Sequence, residues 1–254
     1  LVTLSGGANI YAGGDYMQKA MFPHDFSIQG KGVTGEQMDQ VLTEFVNEQQ
    51  LPVTKKGVYP YYTMGVTSRA GNQLDINAAA QKFVTPKTYI LAVSEADYQS
   101  MTGKSLNLGD DEVALYQQGV KLDSKQDLQL AGQTFKIKEE LKEDFIFGNL
   151  PDQMNMIIPE KIYMVLKNPS QVFSALMDKY AVNLDYYGGL NTKLSTEEQR
   201  NLRDAYQEKL QQFNQTLPEN QAVYGSVTAF DKQEIKGMLG GMFFIGIFLS
   251  IVFM

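Results

Sequence analysis

The chain has 254 residues, 43% of them apolar, which is enough to fill the core of one or two domains and excludes a disordered tail. Its 29 acidic and 22 basic residues give a formal charge of −7. A negative net charge disfavours binding to the negatively charged phosphate backbone of nucleic acids, so no nucleic-acid binding is expected. Cysteine is absent and His24 is the one histidine, which excludes thiolate catalysis, Cys-ligated zinc and sites built from two imidazoles. We expect no cofactor, no resident metal and no catalytic residues.

The first 14 residues carry no charge, and the first charged side chain is Asp15. Four glycines and an asparagine make this segment less apolar than a complete membrane span. We interpret residues 1–14 as the end of a preceding membrane span. Residues 15–235 would then form one large domain on one side of a membrane.

Two short motifs follow. His24 stands in Pro23-His24-Asp25, where a carboxylate could orient the imidazole as a general base, but a lone surface or turn histidine is the favoured interpretation. Residues 30–35 match Gly-x-Gly-x-x-Gly, the pattern of a dinucleotide-binding turn. The strand before it is short, and the next strand has no acidic residue to hold a ribose. We therefore expect a turn that starts a helix.

The helix predicted most firmly begins at Thr34. Thr34 and Gln37 have the spacing of a capping box. The apolar residues that follow recur with helical spacing and form a single stripe: Met38, Val41, Leu42, Phe45 and Val46. Three further helices are expected, starting at Ser94 with Asp97, at Asn168 with Pro169, and at Ser195 with Glu198. The last would run to Phe213 as one amphipathic helix.

Strands fit the intervals between these helices. The candidates, rich in Val, Ile, Tyr, Phe and Thr, are residues 58–67, 88–93, 112–116, 127–138 with a turn at Ala131-Gly132, 154–158 and 161–166. Strands and helices do not alternate regularly enough for a doubly wound sheet, so we predict an α+β fold with mixed or antiparallel sheets and amphipathic helices. The domain could have two lobes, with a boundary in a loop near residues 183–193.

Two groups of polar residues could carry function. Acidic runs at residues 110–112 and 139–144 could hold a cation, but they are more typical of turns and solvated faces. Tyrosines are unusually frequent, and exposed tyrosines could form a surface for a cationic peptide; a half-buried strand face is the alternative. The candidate ligand- or partner-binding residues are Tyr59, Tyr61, Tyr62, Tyr186 and Tyr187.

The last 18 residues, 237–254, contain no charge and no proline. A helix of this length spans about 27 Å, close to the thickness of a bilayer core. Apolar side chains cover every face of its helical wheel, which predicts the start of a transmembrane helix rather than a buried core helix. The candidate membrane anchors are Phe243, Phe244, Ile247, Phe248 and Ile251.

Both ends of the chain resemble a known membrane family. Residues 224–254 resemble the start of the conserved membrane domain of FtsX-like ABC transporter permeases of Gram-positive bacteria. Residues 1–17 resemble the exit from the span before the large extracytoplasmic loop of these permeases. The intervening pattern is similar to MacB-like extracytoplasmic domains at residues 89–93, Tyr98, Gly103, Leu108, residues 112–113 and the hairpin at residues 130–137.

The resemblance implies a permease subunit at the cell membrane that hydrolyses no ATP itself and works with a separate cytoplasmic ABC ATPase. Its extracytoplasmic domain would recognise an envelope-active peptide or a lipid-linked ligand and couple to movement of the flanking helices, in export, antimicrobial peptide resistance or sensing with a histidine kinase. The alternative is a mechanotransmission domain that docks and activates a cell-wall hydrolase or another partner protein.

Overall fold

The computed structural model of the chain describes residues 24–77, 86–145, 160–177, 180 and 182–229. These residues form eleven strands and five helices. In chain order they are β1 (Phe26–Lys31), α1 (Gly35–Gln49), β2 (Val53–Val66), β3 (Ser68–Ala70), β4 (Gln73–Asp75), β5 (Thr88–Ser94), α2 (Glu95–Thr102), β6 (Glu112–Gln118), β7 (Leu128–Leu130), β8 (Gln133–Glu140), β9 (Glu160–Leu166), α3 (Pro169–Met177), β10 (Val182–Thr192), α4 (Thr196–Asn201), α5 (Arg203–Asn214) and β11 (Ala222–Val227). Parallel and antiparallel strand pairs both occur, which confirms the predicted mixed α+β class.

The chain divides into two compact units. Unit 1 comprises Leu1–Val58, Phe147–Pro151 and Tyr187–Met254, and unit 2 comprises Tyr59–Ile146 and Asp152–Tyr186. The division passes through β2 and β10, so each of these two strands contributes residues to both units. The point of division in β10, between Tyr186 and Tyr187, falls inside the segment 183–193.

In unit 1, β1 lies between β11 and β10 and is antiparallel to both. The helices α1 and α5 pack on this sheet because each presents an apolar face. Three aromatic rings meet where these elements join: Phe26 of β1, Phe45 of α1 and Tyr206 of α5, with ring centroids 4.8 to 5.5 Å apart. Lys209 of α5 also forms ion pairs with Glu44 and Glu48 of α1. Aromatic packing and charge pairing thus join α5 to α1.

Helix α1 forms as the sequence predicts. The Thr34 side chain accepts a hydrogen bond from the backbone N–H of Gln37, and the Gln37 side chain accepts one from the backbone of Thr34. Met38, Val41, Leu42 and Phe45 are buried, which confirms four of the five residues in the predicted stripe. Gly32 before the helix has a φ of +66°, so the Gly-rich motif is the predicted turn that starts a helix.

Unit 2 contains a sheet in the order β2–β5–β9–β6–β8–β7–β4–β3. Its parallel pairs are β5 with β9, β6 with β8, and β4 with β7. The predicted turn between β7 and β8 is a two-residue hairpin in which Ala131 and Gly132 have φ values of 50° and 81°. One apolar core fills this unit, built from the central strands together with Phe173 and Leu176 of α3.

Most predicted elements are present with shifted ends. Ser94 accepts the capping hydrogen bond of α2, and Gly103 ends this helix in the left-handed conformation, as predicted. The predicted loop near 183–193 is wrong, because these residues lie in β10 and at its end. The predicted single helix from Ser195 is also wrong, because it divides at Leu202 into α4 and α5. Strand β11 was not expected, and the predicted strand 154–158 lies outside the described residues.

Within the described part of the chain, no helix combines the length and the apolar character needed to cross a membrane. The two predicted membrane segments, residues 1–14 and 237–254, lie outside the described residues. The candidate anchors lie outside them as well: Phe243, Phe244, Ile247, Phe248 and Ile251.

Candidate functional site

The first and last described segments of the chain meet in unit 1. Strands β1 and β11 pair over six positions, from Phe26 opposite Val227 to Lys31 opposite Ala222. Beyond the ladder, the backbone N–H of Thr228 donates to the carbonyl of Asp25 at 2.9 Å. The Thr228 hydroxyl donates to the carbonyl of His24. Directly opposed Cα atoms of an antiparallel pair are about 4.5–5.5 Å apart, so the chain enters and leaves the described region at one point.

We call the residues around this point the terminal junction: His24, Asp25, Tyr187, Gly189, Asn191, Thr192 and Thr228. Asp25 ties the incoming chain to the end of β10. Its carboxylate accepts hydrogen bonds from the backbone N–H of Thr192 at 2.7 Å and from the Thr192 hydroxyl at 3.2 Å. The backbone N–H of Asp25 donates to the side-chain oxygen of Asn191 at 3.0 Å. Together with β11, these bonds hold the incoming chain from two sides.

His24 lies in a bend before β1 and is buried in the terminal junction, with 2% of its surface exposed, so of the favoured surface or turn histidine the surface position is wrong. Its Nδ1 lies 3.1 Å from the hydroxyl of Tyr187. The ring packs directly over Gly189, where an added Cβ would lie 2.4 Å from His24 Cγ. Burial and, secondarily, the charge of Lys55 lower the pKa of His24 to about 4. The imidazole is therefore neutral at pH 7 and acts as a packed core group.

Three of the five candidate tyrosines are buried and two are half-buried. Tyr59 and Tyr62 of unit 2 are 4% exposed, and Tyr62 packs on the ring of Phe173 with centroids 5.3 Å apart. Tyr187 of unit 1 is buried in the terminal junction. Tyr61 and Tyr186 of unit 2 are half-buried. This is the half-buried strand face that the sequence left as the alternative, and ligand binding by these residues stays a prediction.

The acidic run at residues 110–112 is engaged in ion pairs within unit 2. Asp110 pairs with Lys167 at 2.9 Å, Asp111 with Lys136 at 2.9 Å, and Glu112 with Lys138 at 3.0 Å. Of the second run, Glu143 pairs with Lys104 at 3.1 Å. In the part of the chain that the structure describes, no group of three metal-ligating side chains is close enough to hold an ion. The described carboxylates of residues 110–112 fix strands and turns to one another.

The Glu95 carboxylate organises the loop that precedes β6. It accepts hydrogen bonds from the backbone N–H groups of Leu106 at 2.8 Å, Leu108 at 2.9 Å, and Asn107. Partial burial pushes the pKa of Glu95 upward, but these three N–H groups outweigh it and hold the pKa below its usual value. The sequence analysis did not identify this residue, because the donors lie 11 to 13 positions away and carry no recognisable motif.

Comparisons with known proteins assign no family to the chain. No family model matches it, and no curated protein matches it. Among solved structures, one similar chain is that of a "Putative Lipoprotein from Bacillus anthracis". It shares 5% sequence identity over 80% of this chain and 96% of that chain, with a TM-score of 0.34. A likeness at this level is too low to indicate fold or function.

Proposed function

We propose that this chain is the extracytoplasmic domain of an ABC-type permease subunit, inserted between two membrane segments. The observation that supports the proposal best is the pairing of β1 with β11 at the terminal junction. A domain inserted between two neighbouring membrane helices must receive and return the chain at adjacent points. Neighbouring strands lie about 4.8 Å apart and packed helices about 8–10 Å apart, so the paired ends can connect to two helices in contact.

The proposed role of the domain is to move with the flanking segments. A displacement of one segment relative to the other acts first on the β1–β11 ladder and on Asp25. The ladder resists fraying because the Tyr206 hydroxyl donates to the carbonyl of Ser27 at 2.8 Å, and the Ser27 and Ser226 hydroxyl oxygens are 3.0 Å apart. Helix α5 is in turn held to α1 by Lys209. A pull on either end would therefore displace the sheet and helices of unit 1 together.

The partners in this proposal are a cytoplasmic ABC ATPase, which supplies the energy, and the membrane. A histidine kinase or cell-wall hydrolase as additional partner, and an envelope-active peptide or lipid-linked ligand, also remain proposals. The alternative of hydrolase docking through the helix after Ser195 has less support. Tyr206 and Leu210, on the apolar face of α5, are buried, so that face is occupied within unit 1.

The topology of the full chain in intact cells tests the proposal. None of the 254 residues is a cysteine, so a cysteine introduced among them is the only thiol in this part of the protein that a reagent can label. Ser124 of unit 2 and Gln211 of unit 1 are exposed and suit this purpose, whereas Asn72 and Asn191 make structural hydrogen bonds. A membrane-impermeant maleimide should label Ser124→Cys and Gln211→Cys in intact cells.

The matched control is Val41→Cys in the core of α1, which should react only after denaturation because Val41 is 0% exposed. Labelling of either exposed position only after cell lysis would place the domain in the cytoplasm and contradict the proposal. Purification of the labelled membrane protein in mild detergent should also recover a nucleotide-binding ATPase subunit.

A further inference from the structure

Unit 2 has a polar groove on the solvent face of its small strands β3, β4, β7 and β8. In the ladder, Ala70 is opposite Gln73, Gln73 opposite Gln129, and Gln129 opposite Thr134. Gln73 and Asp75 are exposed, and Leu74 between them is buried, so the polar side chains share the outer face. We call this the polar groove and define it by Ser68, Gln73, Asp75, Gln129, Thr134 and Tyr180.

The groove has a definite volume and lies next to an ordered loop. It consists of two adjoining depressions of about 430 and 150 Å³ that share Asp75 and the Ala131–Gly132 turn as lining. Small-molecule sites usually measure about 300–1,000 Å³, so the larger depression falls in this range and the smaller one, which holds Gln73 and Gln129, adds a side pocket to it. Asn72, the chain neighbour of Gln73, is buried, and its side-chain amide donates to the carbonyls of Asp123 and Gln126, which fixes the loop before β7.

The carboxylate of Asp75 is oriented before any ligand arrives. Its Oδ2 accepts a hydrogen bond from the Ser68 hydroxyl at 3.0 Å. The Asp75 carbonyl accepts two further bonds, from the backbone N–H of Thr67 at 2.8 Å and from the Thr67 hydroxyl at 3.0 Å. Among the described residues Oδ1 of Asp75 has no hydrogen-bond donor, which leaves this oxygen as an acceptor for a ligand.

The lining of the groove discriminates among ligand classes. Among the residues that the structure describes, no Lys or Arg lines either depression, which disfavours an anion. The apolar residues Leu74 and Ile76 are buried, which disfavours a lipid chain. What the groove offers is side-chain amides that both donate and accept, hydroxyl groups, one carboxylate and the ring of Tyr180.

This combination matches an oligosaccharide that fills both depressions. Hydroxyl groups of a saccharide donate and accept together, as the glutamine amides of the smaller depression do. A second sugar unit would lie in the larger depression beside the part of Tyr180 that is not packed on the core of unit 2. Gln73 and Gln129 are register partners on parallel strands about 4.8 Å apart, so one ring can reach both amides. We propose that the polar groove binds a neutral saccharide. The proposal rests on the groove alone and does not depend on the proposed function.

Titration of the full chain with N,N′,N″-triacetylchitotriose and with maltotriose tests the proposal. The detergent must have no sugar headgroup, because a glucoside or maltoside would compete for the groove. Saturation-transfer NMR and calorimetry should show saturable binding of at least one of the two sugars. In Gln73→Ala/Gln129→Ala the affinity should fall by about tenfold or more, because two pairs of hydrogen bonds are lost.

The matched control is Gln211→Ala/Gln212→Ala on the exposed face of α5, which should bind as the native chain does. A second variant, Ala131→Asn, keeps the left-handed turn with a residue that accepts it while adding bulk beside both depressions, and it should weaken binding without unfolding the chain. The proposal is overturned if neither sugar binds the native chain saturably, or if the affinity survives in both groove variants. Saturable binding of pentalysine without either sugar would assign the groove to cationic ligands and also overturn it.

Discussion

The side-chain amide of Asn214 pairs with both backbone groups of Val223. Asn214 Oδ1 accepts the Val223 N–H at 2.7 Å, and Asn214 Nδ2 donates to the Val223 carbonyl at 2.8 Å. Gln207, about two helical turns before Asn214 on the same face of α5, donates to the carbonyl of Gly225 at 3.0 Å. Among the described strands, β11 pairs with β1 on one side only, and the Asn214 and Gln207 side chains of α5 form hydrogen bonds with backbone groups of β11 along the outer edge of the sheet of unit 1. An edge strand covered in this way is protected from pairing with another chain.

Replacing Asn214 should destabilise unit 1. Asn214→Ala removes two hydrogen bonds and leaves backbone groups of Val223 without their partner, so the free energy of unfolding should fall by about 1–3 kcal/mol. Chemical denaturation followed by circular dichroism measures this loss, which suits a chain without tryptophan.

The neighbouring Gln215→Ala is the control, because Gln215 is exposed and should leave stability within about 0.5 kcal/mol of the native value. Equal stability of Asn214→Ala and the native chain would contradict the role given to Asn214. Residues Asn214-Gln215-Thr216 also match the sequence pattern of an N-glycosylation site. In the folded chain the Asn214 Nδ2, to which a glycan would be attached, is hydrogen-bonded to the Val223 carbonyl.

The stability of the domain should depend on the protonation of His24. Its pKa is about 4 in the folded chain, against 6.5 for a solvated imidazole, so the unfolded chain binds the proton more tightly. This contribution is constant above about pH 6.5, and stability is lost as the pH falls toward 4, by about 3 kcal/mol at most. Denaturation curves at pH 7 and pH 4 measure the loss.

Other groups titrate in the same range, so the control is the difference between the native chain and His24→Asn. The asparagine keeps a polar atom near Tyr187 but does not titrate. The native chain should lose more stability than the variant on acidification. Identical pH profiles for the two proteins would show that His24 is solvated rather than buried.

Gly189 should tolerate no larger residue while His24 is present. In Gly189→Ala the new Cβ would meet the His24 ring at 2.4 Å, so the free energy of unfolding should fall by about 1–3 kcal/mol. Gly109→Ala is the matched control, because its Cβ would make ordinary contacts of 3.4 to 3.5 Å.

A double-mutant cycle locates the cause of this loss. His24→Ala removes the ring but keeps the His24 Cβ, 2.7 Å from the new Cβ, so the additional effect of Gly189→Ala should be smaller in that background but not zero, and a coupling energy of about 1 kcal/mol or more is expected. Strict additivity of the two substitutions would argue against direct packing of the ring on Gly189.

Glu95 should control the order of the loop before β6. Glu95→Gln keeps the size of the side chain but replaces a charged acceptor of three backbone N–H groups, so a loss of about 1–3 kcal/mol is expected. Hydrogen exchange at Leu106 and Leu108 should accelerate. Glu197→Gln, on the exposed first turn of α4, is the comparison that should change neither quantity.

The features predicted well from sequence are those encoded by neighbours in the chain. The capping box of Thr34 and Gln37, the left-handed Gly103 and the Ala131–Gly132 hairpin each need only a few consecutive residues. In the same way, the helix-starting chemistry of Ser195 and Glu198 is present, although the helix divides at Leu202.

The features missed from sequence depend on distant partners. Gly188 and Gly189 predicted a loop, yet they lie in strand β10. Glycine is needed at both positions because Ile28 of β1 and the His24 ring lie so close that a larger side chain would clash. The terminal junction has the same origin, since Asp25 meets Thr192 across 167 positions. No local pattern marks such pairs. Tyrosine counts likewise carried no information about burial, and three of the five candidate tyrosines are core residues.

The central claim is that the two ends of the domain are held together by the β1–β11 pair, and an engineered disulfide between them tests it most directly. The hydroxyl oxygens of Ser27 and Ser226 are 3.0 Å apart, and opposed Cα atoms of a strand pair fall within the range that a disulfide spans. In the membrane-bound full chain, Ser27→Cys/Ser226→Cys should oxidise to a disulfide under mild conditions, while Ser27→Cys/Gln212→Cys should remain reduced. Failure of the first pair to cross-link, with both thiols reactive, would contradict the account.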